Sequence, residues 1–165
     1  MRLLDKDIGL PPEEIALYIH ELQNQIILRF GEDDSRDMLE ILSYVQRIYT
    51  QMEIYYTAKI GDNVKIIHGL GTVIGARVVV GDGVTIYQNV TLGDRATKGA
   101  GGRPVIGEGT IIYAGSMILG DIVIGRNCIV GAQSVVLDSF PDNSVIAGNP
   151  VRLVKIPFLG GNSVT

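Results

Sequence analysis

The stretch IGEGTIIYAGSMILGDIVIGRNCIVGAQSVVL, residues 106–137, decides the fold. Within it Ile106, Ile112, Ile118, Ile124, Val130 and Val136 recur at six-residue intervals. Glycine often follows the aliphatic residue, as at Gly107, Gly125 and Gly131. A small side chain comes four positions after it, as at Thr110, Ser116, Cys128 and Ser134. Upstream, the same phase runs through Ile74, Val80, Ile86 and Leu92, and a shorter run, Ile60 and Ile66, precedes those. A period of six fits neither a 3.6-residue helix nor a meander with turns every 8–12 residues. It fits a solenoid in which each hexad is one short flat face ending at a corner. Three faces per coil would stack equivalent residues about 4.8 Å apart. Twelve in-phase aliphatic positions therefore predict four coils of a parallel β-helix around a triangular core.

Composition divides the chain at the start of this repeat. Of 21 glycines, 17 lie between Gly61 and Gly148, and residues 32–60 have none. Residues 1–53 carry 11 acids and 5 bases, while residues 54–165 carry 7 acids and 9 bases. The net charge of -4 makes the whole chain too acidic for a general nucleic-acid binder. No apolar run approaches the roughly 20 residues that span a bilayer, and the N-terminus has no apolar core of a secretion signal. The single cysteine, Cys128, forms no internal disulfide, so a reducing cytoplasm is the expected compartment. Cys128 occupies a small-residue position of the repeat and reads as buried filler.

The acidic front reads as two helices. Pro11-Pro12-Glu13-Glu14 has proline and acids where a helix begins. Ile15, Tyr18, Ile19, Leu22, Ile26 and Phe30 then form an apolar stripe, and Gly31 is a stop. Asp33, Asp34 or Ser35 would cap a second helix with the stripe Met38, Leu39, Leu42, Val45, Ile48, Tyr49 and Met52. The expected organisation is a helical hairpin at 1–53, a β-helix domain at 54–157 and a tail at 158–165. His20, on the first helix, reads as a surface or packing histidine.

The repeat loses phase twice, and breaks in a solenoid are where loops and function collect. Ile67-His68-Gly69-Leu70-Gly71-Thr72 carries two extra residues, which enlarge one corner and set His68 on it. Imidazole titrates near neutrality, so it suits removal of a proton from a hydroxyl. Taken alone, His68 serves equally well as a histidine capping a turn. The second break, Asp94 to Pro104, sets Leu92 and Ile106 14 positions apart where 6 are expected, so eight residues protrude. It is glycine-rich and basic, and fits either a flap over a site or a solvated loop.

The pattern aliphatic-Gly-x-x-small-x resembles the hexapeptide-repeat, left-handed β-helix acyltransferases, and the resemblance covers residues 54–157. Within that superfamily the likeness is to serine acetyltransferase. It is carried by Thr57-Ala58-Lys59-Ile60-Gly61, Asn89-Val90-Thr91-Leu92-Gly93, Val130-Gly131-Ala132-Gln133-Ser134-Val135-Val136, and the coil-ending Ala147-Gly148-Asn149-Pro150-Val151-Arg152. The resemblance implies the hand of the helix, acetyl-CoA as co-substrate, no metal, and a homotrimer with sites between subunits. It makes His68 the general base. Where the family has an aspartate that orients the base, this chain has Glu53, whose other reading is the end of the acidic helix.

Coenzyme A would lie along a groove with its pantetheine arm on Gly93, Ala114, Gly115 and Ala132. Arg126, Arg152 and Lys155 are candidates for its phosphates, or else ordinary solvated charges. Asp94 and Arg103 belong to the loop that covers the acyl donor in the family. Two departures bear on the acceptor. Ile67 replaces the aspartate that reads an amino acid, and Arg103 replaces a second histidine. They shift the expected acceptor from serine toward a sugar of a surface polysaccharide, as in short serine acetyltransferase relatives. The ending Asn162-Ser163-Val164-Thr165 lacks the terminal isoleucine by which the family docks to the cysteine-forming sulfhydrylase, so that partner is not expected. Serine acetylation and a non-catalytic trimeric scaffold are the alternatives. A zinc hydrolase would need several histidines, and only His68 lies in the repeat.

Overall fold

The computed structural model describes residues 9–95 and 101–155. Helix α1 (Pro12–Phe30) and helix α2 (Glu32–Thr50) form the hairpin. The first coil contains β1 (Glu53–Ile54), β2 (Lys59–Ile60) and β3 (Lys65–Ile67). The second contains β4 (Val73–Ile74), β5 (Val79–Val80) and β6 (Thr85–Tyr87). The third contains β7 (Thr91–Gly93), β8 (Val105–Ile106) and β9 (Ile111–Ile112). The next contains β10 (Met117–Leu119), β11 (Val123–Ile124) and β12 (Ile129–Val130), and β13 (Val135–Val136) and β14 (Val145–Ala147) follow. A last strand, β15 (Arg152–Lys155), turns back antiparallel on β14.

Every third strand stacks. The first face is β1-β4-β7-β10-β13, the second β2-β5-β8-β11, and the third β3-β6-β9-β12-β14, all parallel. Phe140 adds a further rung to the second face through a parallel bridge to Ile124. The expected aliphatic ladder fills the prism: Ile74, Ile86, Leu92, Ile106, Ile112, Ile118, Ile124, Val130 and Val136 are fully buried. Ile54 below and Ile146 above lengthen it beyond the expected positions. The small positions are buried too, and toward the C-terminus they turn polar without leaving donors unpaired. Thr110 donates its hydroxyl to Gly125 O (2.8 Å), Ser134 to Gly131 O (2.6 Å) and Ser144 to Pro141 O (2.6 Å).

The hairpin departs from expectation. Its buried positions are Ala16, Ile19, His20 and Gln23 on α1 and Ser35, Leu39, Ser43, Gln46 and Thr50 on α2. Of the expected stripes Ile19, Leu39 and Met52 are buried, whereas Tyr18, Phe30, Met38, Val45, Ile48 and Tyr49 are exposed. Small and amide side chains let the helices approach and bond. Gln23 Nε2 donates to Leu39 O and to Ser43 Oγ, and Gln46 Nε2 donates to Ala16 O. Gln46 Oε1 accepts from the N–H of Ile54, which ties the hairpin to the first coil. Nor does an acidic side chain cap α2; it starts at Glu32 directly after Gly31, whose φ of 85° turns the chain. Among the described residues no helix is long and apolar enough to cross a membrane.

Candidate active site

The corner between the third face and the first is built the same way in each coil. Gln51, Gly71, Asn89, Gly115 and Gln133 stand in a ladder with φ of 56°, 71°, 56°, 72° and 57°. Backbone bonds join its rungs: Gly71 N–H to Gln51 O, Asn89 N–H to Leu70 O, Gly115 N–H to Gln88 O and Gln133 N–H to Ala114 O. In the first coil the two extra residues bulge out of this corner. Ile67 pairs with Tyr87, and Gly71 stands level with Asn89, so His68, Gly69 and Leu70 face the single residue Gln88. Gly69 is packed on Met52 so closely that a Cβ there would meet its sulfur. This pins the bulge while His68 stays exposed, with φ of 54°. Positive φ is common to the corners, as at Gln51, Asn89 and Gln133; what sets His68 apart is its place on the bulge outside the ladder.

No hydrogen bond joins Glu53 to His68 among the described residues. Glu53 lies on β1, not at the end of α2, and its carboxylate accepts from Arg47 Nη1 at 3.0 Å. Among the described residues the imidazole of His68 has no hydrogen-bond partner. The arginine one helical turn from the end of α2 is a stronger partner for a carboxylate than a neutral ring. On the rung above, the side-chain oxygen Oε1 of Gln88 is buried and lacks a partner. Gln88 was not legible in the sequence because it sits in phase, inside an ordinary hexad.

Ile67 begins an outward column on the third face that continues through Tyr87 and Tyr113. The two tyrosine rings stack at 5.1 Å between centroids. Above Tyr113 the column carries Gly131 and then Ala147, with no large side chain. The adjacent column at the corner runs from Gln88 to Ala114 and Ala132. Ala114, Gly115 and Ala132 thus share the corner of His68. Gly93 does not share it: it ends β7 at the opposite edge of the first face, beside Leu119.

The expected phosphate ligands separate as well. Arg126 lies on the corner between the second and third faces, in a ladder of Asp62, Asp82, Glu108 and Asp142. Its backbone N–H donates to Asp142 Oδ1 at 2.7 Å. With Glu108 on the rung below and Asp142 on the rung above, the column around Arg126 is acidic and disfavours a phosphate. Arg152 is exposed on β15, and the side chain of Lys155 lies outside the described residues. So do residues 96–100 of the long loop and all of the 158–165 tail.

At the root of that loop Arg103 is fully engaged within the chain. It forms an ion pair with Asp94, and both side chains are about four-fifths buried. Its Nε donates to Ala76 O at 2.9 Å, and Nη1 to Gly101 O at 3.2 Å. Such a guanidinium fastens the loop to the second coil. Cys128 is fully buried with Sγ 3.2 Å from Pro141 O. Burial pushes its thiol up from the ordinary value, so it is no nucleophile at neutral pH.

Comparison with known proteins adds the context. Residues 103–138 match the family model described as bacterial transferase hexapeptide (six repeats). The serine acetyltransferase of Staphylococcus xylosus is 43% identical over 118 residues, 72% of this chain and 55% of its own length. A solved serine acetyltransferase in complex with cysteine has a TM-score of 0.83 at 28% identity, covering 90% of this chain and 56% of that one. Serine acetyltransferase from Brucella abortus strain S19 in complex with coenzyme A has a TM-score of 0.78 at 32% identity, covering 84% and 54%. The chain spans about half the length of the curated relatives it matches.

Proposed function

Because the chain belongs to the hexapeptide-repeat, left-handed β-helix acyltransferase superfamily, on its serine acetyltransferase-like branch, we propose that it is an acetyl-CoA-dependent O-acetyltransferase. The observation that carries this reading is His68, exposed on a pinned bulge at the foot of the column Ala114 and Ala132. His68 takes the proton of an acceptor hydroxyl as its oxygen attacks the thioester carbonyl. It returns that proton to the departing thiolate, so the ring ends the cycle neutral. Coenzyme A supplies the activated acyl group, and the small side chains of the corner leave room for its arm. The flat faces suit association as a ring of three, with the groove of each subunit closed by its neighbour.

Serine is the acceptor that the relatives support, since they are serine acetyltransferases and one neighbour holds cysteine. A sugar hydroxyl is the second reading, favoured by the column Ile67, Tyr87 and Tyr113 beside the base. That wall carries no carboxylate for an ammonium group, whereas apolar and aromatic surface suits the C–H face of a pyranose. The test is release of free coenzyme A thiol with serine and with a panel of sugars and nucleotide sugars. Saturable turnover with serine alone supports the first acceptor, and turnover with a sugar alone supports the second. Absence of acceptor-dependent release with all of them contradicts the enzymatic reading.

A further inference from the structure

A histidine acting as base needs one ring nitrogen free for the incoming proton and its other N–H held by an acceptor, or it divides between two tautomers. In this chain Oε1 of Glu53 accepts from Arg47, and no bond from Glu53 to His68 is present among the described residues. Yet an acceptor with nothing to accept stands across the same corner: the buried Oε1 of Gln88. The bulge sets His68, Gly69 and Leu70 opposite Gln88 alone. Leaving a carbonyl buried without a donor costs about 1–3 kcal/mol, and the imidazole carries a donor in every protonation state.

We propose that Gln88 is the positioning residue of His68: its side-chain carbonyl receives one ring N–H and leaves the other nitrogen for the acceptor hydroxyl. The proposal rests on His68 being the base. A neutral carbonyl fixes the tautomer without the charge of a carboxylate, so Gln88 orients the ring and adds little electrostatic stabilisation of the imidazolium. Charged or titratable groups on the elements packed around the corner include Lys65 on β3, Arg47 and Tyr49 on α2, Glu53 on β1, Tyr87 on β6 and His20 on α1. Arg47 and Glu53 neutralise each other, and Tyr87 is stacked on Tyr113.

The chain has two histidines, so long-range proton–nitrogen NMR spectra of the ligand-free protein resolve both imidazoles, with His68→Ala giving the assignment. In the wild type at pH above 7.5, His68 should populate one tautomer. Gln88→Met should give a mixture of the two and lower kcat by about tenfold or more, with KM for acetyl-CoA unchanged. Gln88→Glu should restore the single tautomer and move the acid limb of the rate profile to higher pH. Glu53→Gln should leave the tautomer as it was. A tautomer mixture in the wild type overturns the proposal, as does a Glu53→Gln spectrum that changes while that of Gln88→Met does not. Because the spectra need no turnover, they separate failure of this assignment from failure of the base itself, which the activity of His68→Ala reports.

Discussion

His20 shows at the scale of one residue how burial overrides the residue type. It is 4% exposed, and its Nε2 lies 3.0 Å from the amide of Asn24 while Nδ1 has no partner. Desolvation pulls its pKa below the ordinary value, with Glu21 opposing in part. The unfolded chain therefore binds a proton that the folded chain refuses, and folding loses stability as pH falls through about 6.5, the value for a free imidazole. Tm should drop between pH 7.5 and 5, and His20→Gln should flatten that dependence. A Tm of the wild type that does not fall across this range contradicts the assignment. Cys128 offers a second test: its buried thiol should resist alkylation in the native protein and react promptly once guanidinium unfolds it. His68 was legible because it breaks the repeat. Gln88 was not, since a residue that keeps phase gives no sign that its side chain lacks a partner.

Among elements, the hexads were legible because each inward position is filled by a branched aliphatic side chain. Ile112→Ala removes such a side chain from the fully buried middle of the third face and should cost about 2–5 kcal/mol, read from the denaturant midpoint. The glycines have a reason the repeat did not reveal. A Cβ on Gly107 would come within 2.6 Å of the backbone of Gly125 and Arg126. Close stacking of coils thus demands glycine there even where φ does not. Gly107→Val should accordingly destabilise more than Gly83→Ala, whose added carbon meets nothing within 4 Å but pays for a φ of 65°. The hairpin was misread for a related reason. Periodicity finds an apolar stripe but not the side on which a helix docks, and here Gln23 and Gln46 occupy the interior.

For the whole molecule, Met38, Ile41, Ile48 and Tyr49 of α2 are more than half exposed. Val123 and Met117 add apolar surface on the solenoid. Single soluble chains rarely leave so much apolar area uncovered, which agrees with an assembly of subunits. Light scattering should give a mass of three chains or a multiple of three; a monodisperse monomer of 17.8 kDa would contradict the proposed ring. The most direct measurement is acceptor-dependent release of coenzyme A by wild type and His68→Ala, with acetyl-CoA binding followed by calorimetry. The account predicts unchanged binding and a loss of turnover by about a hundredfold or more. Turnover by His68→Ala equal to that of the wild type would contradict it.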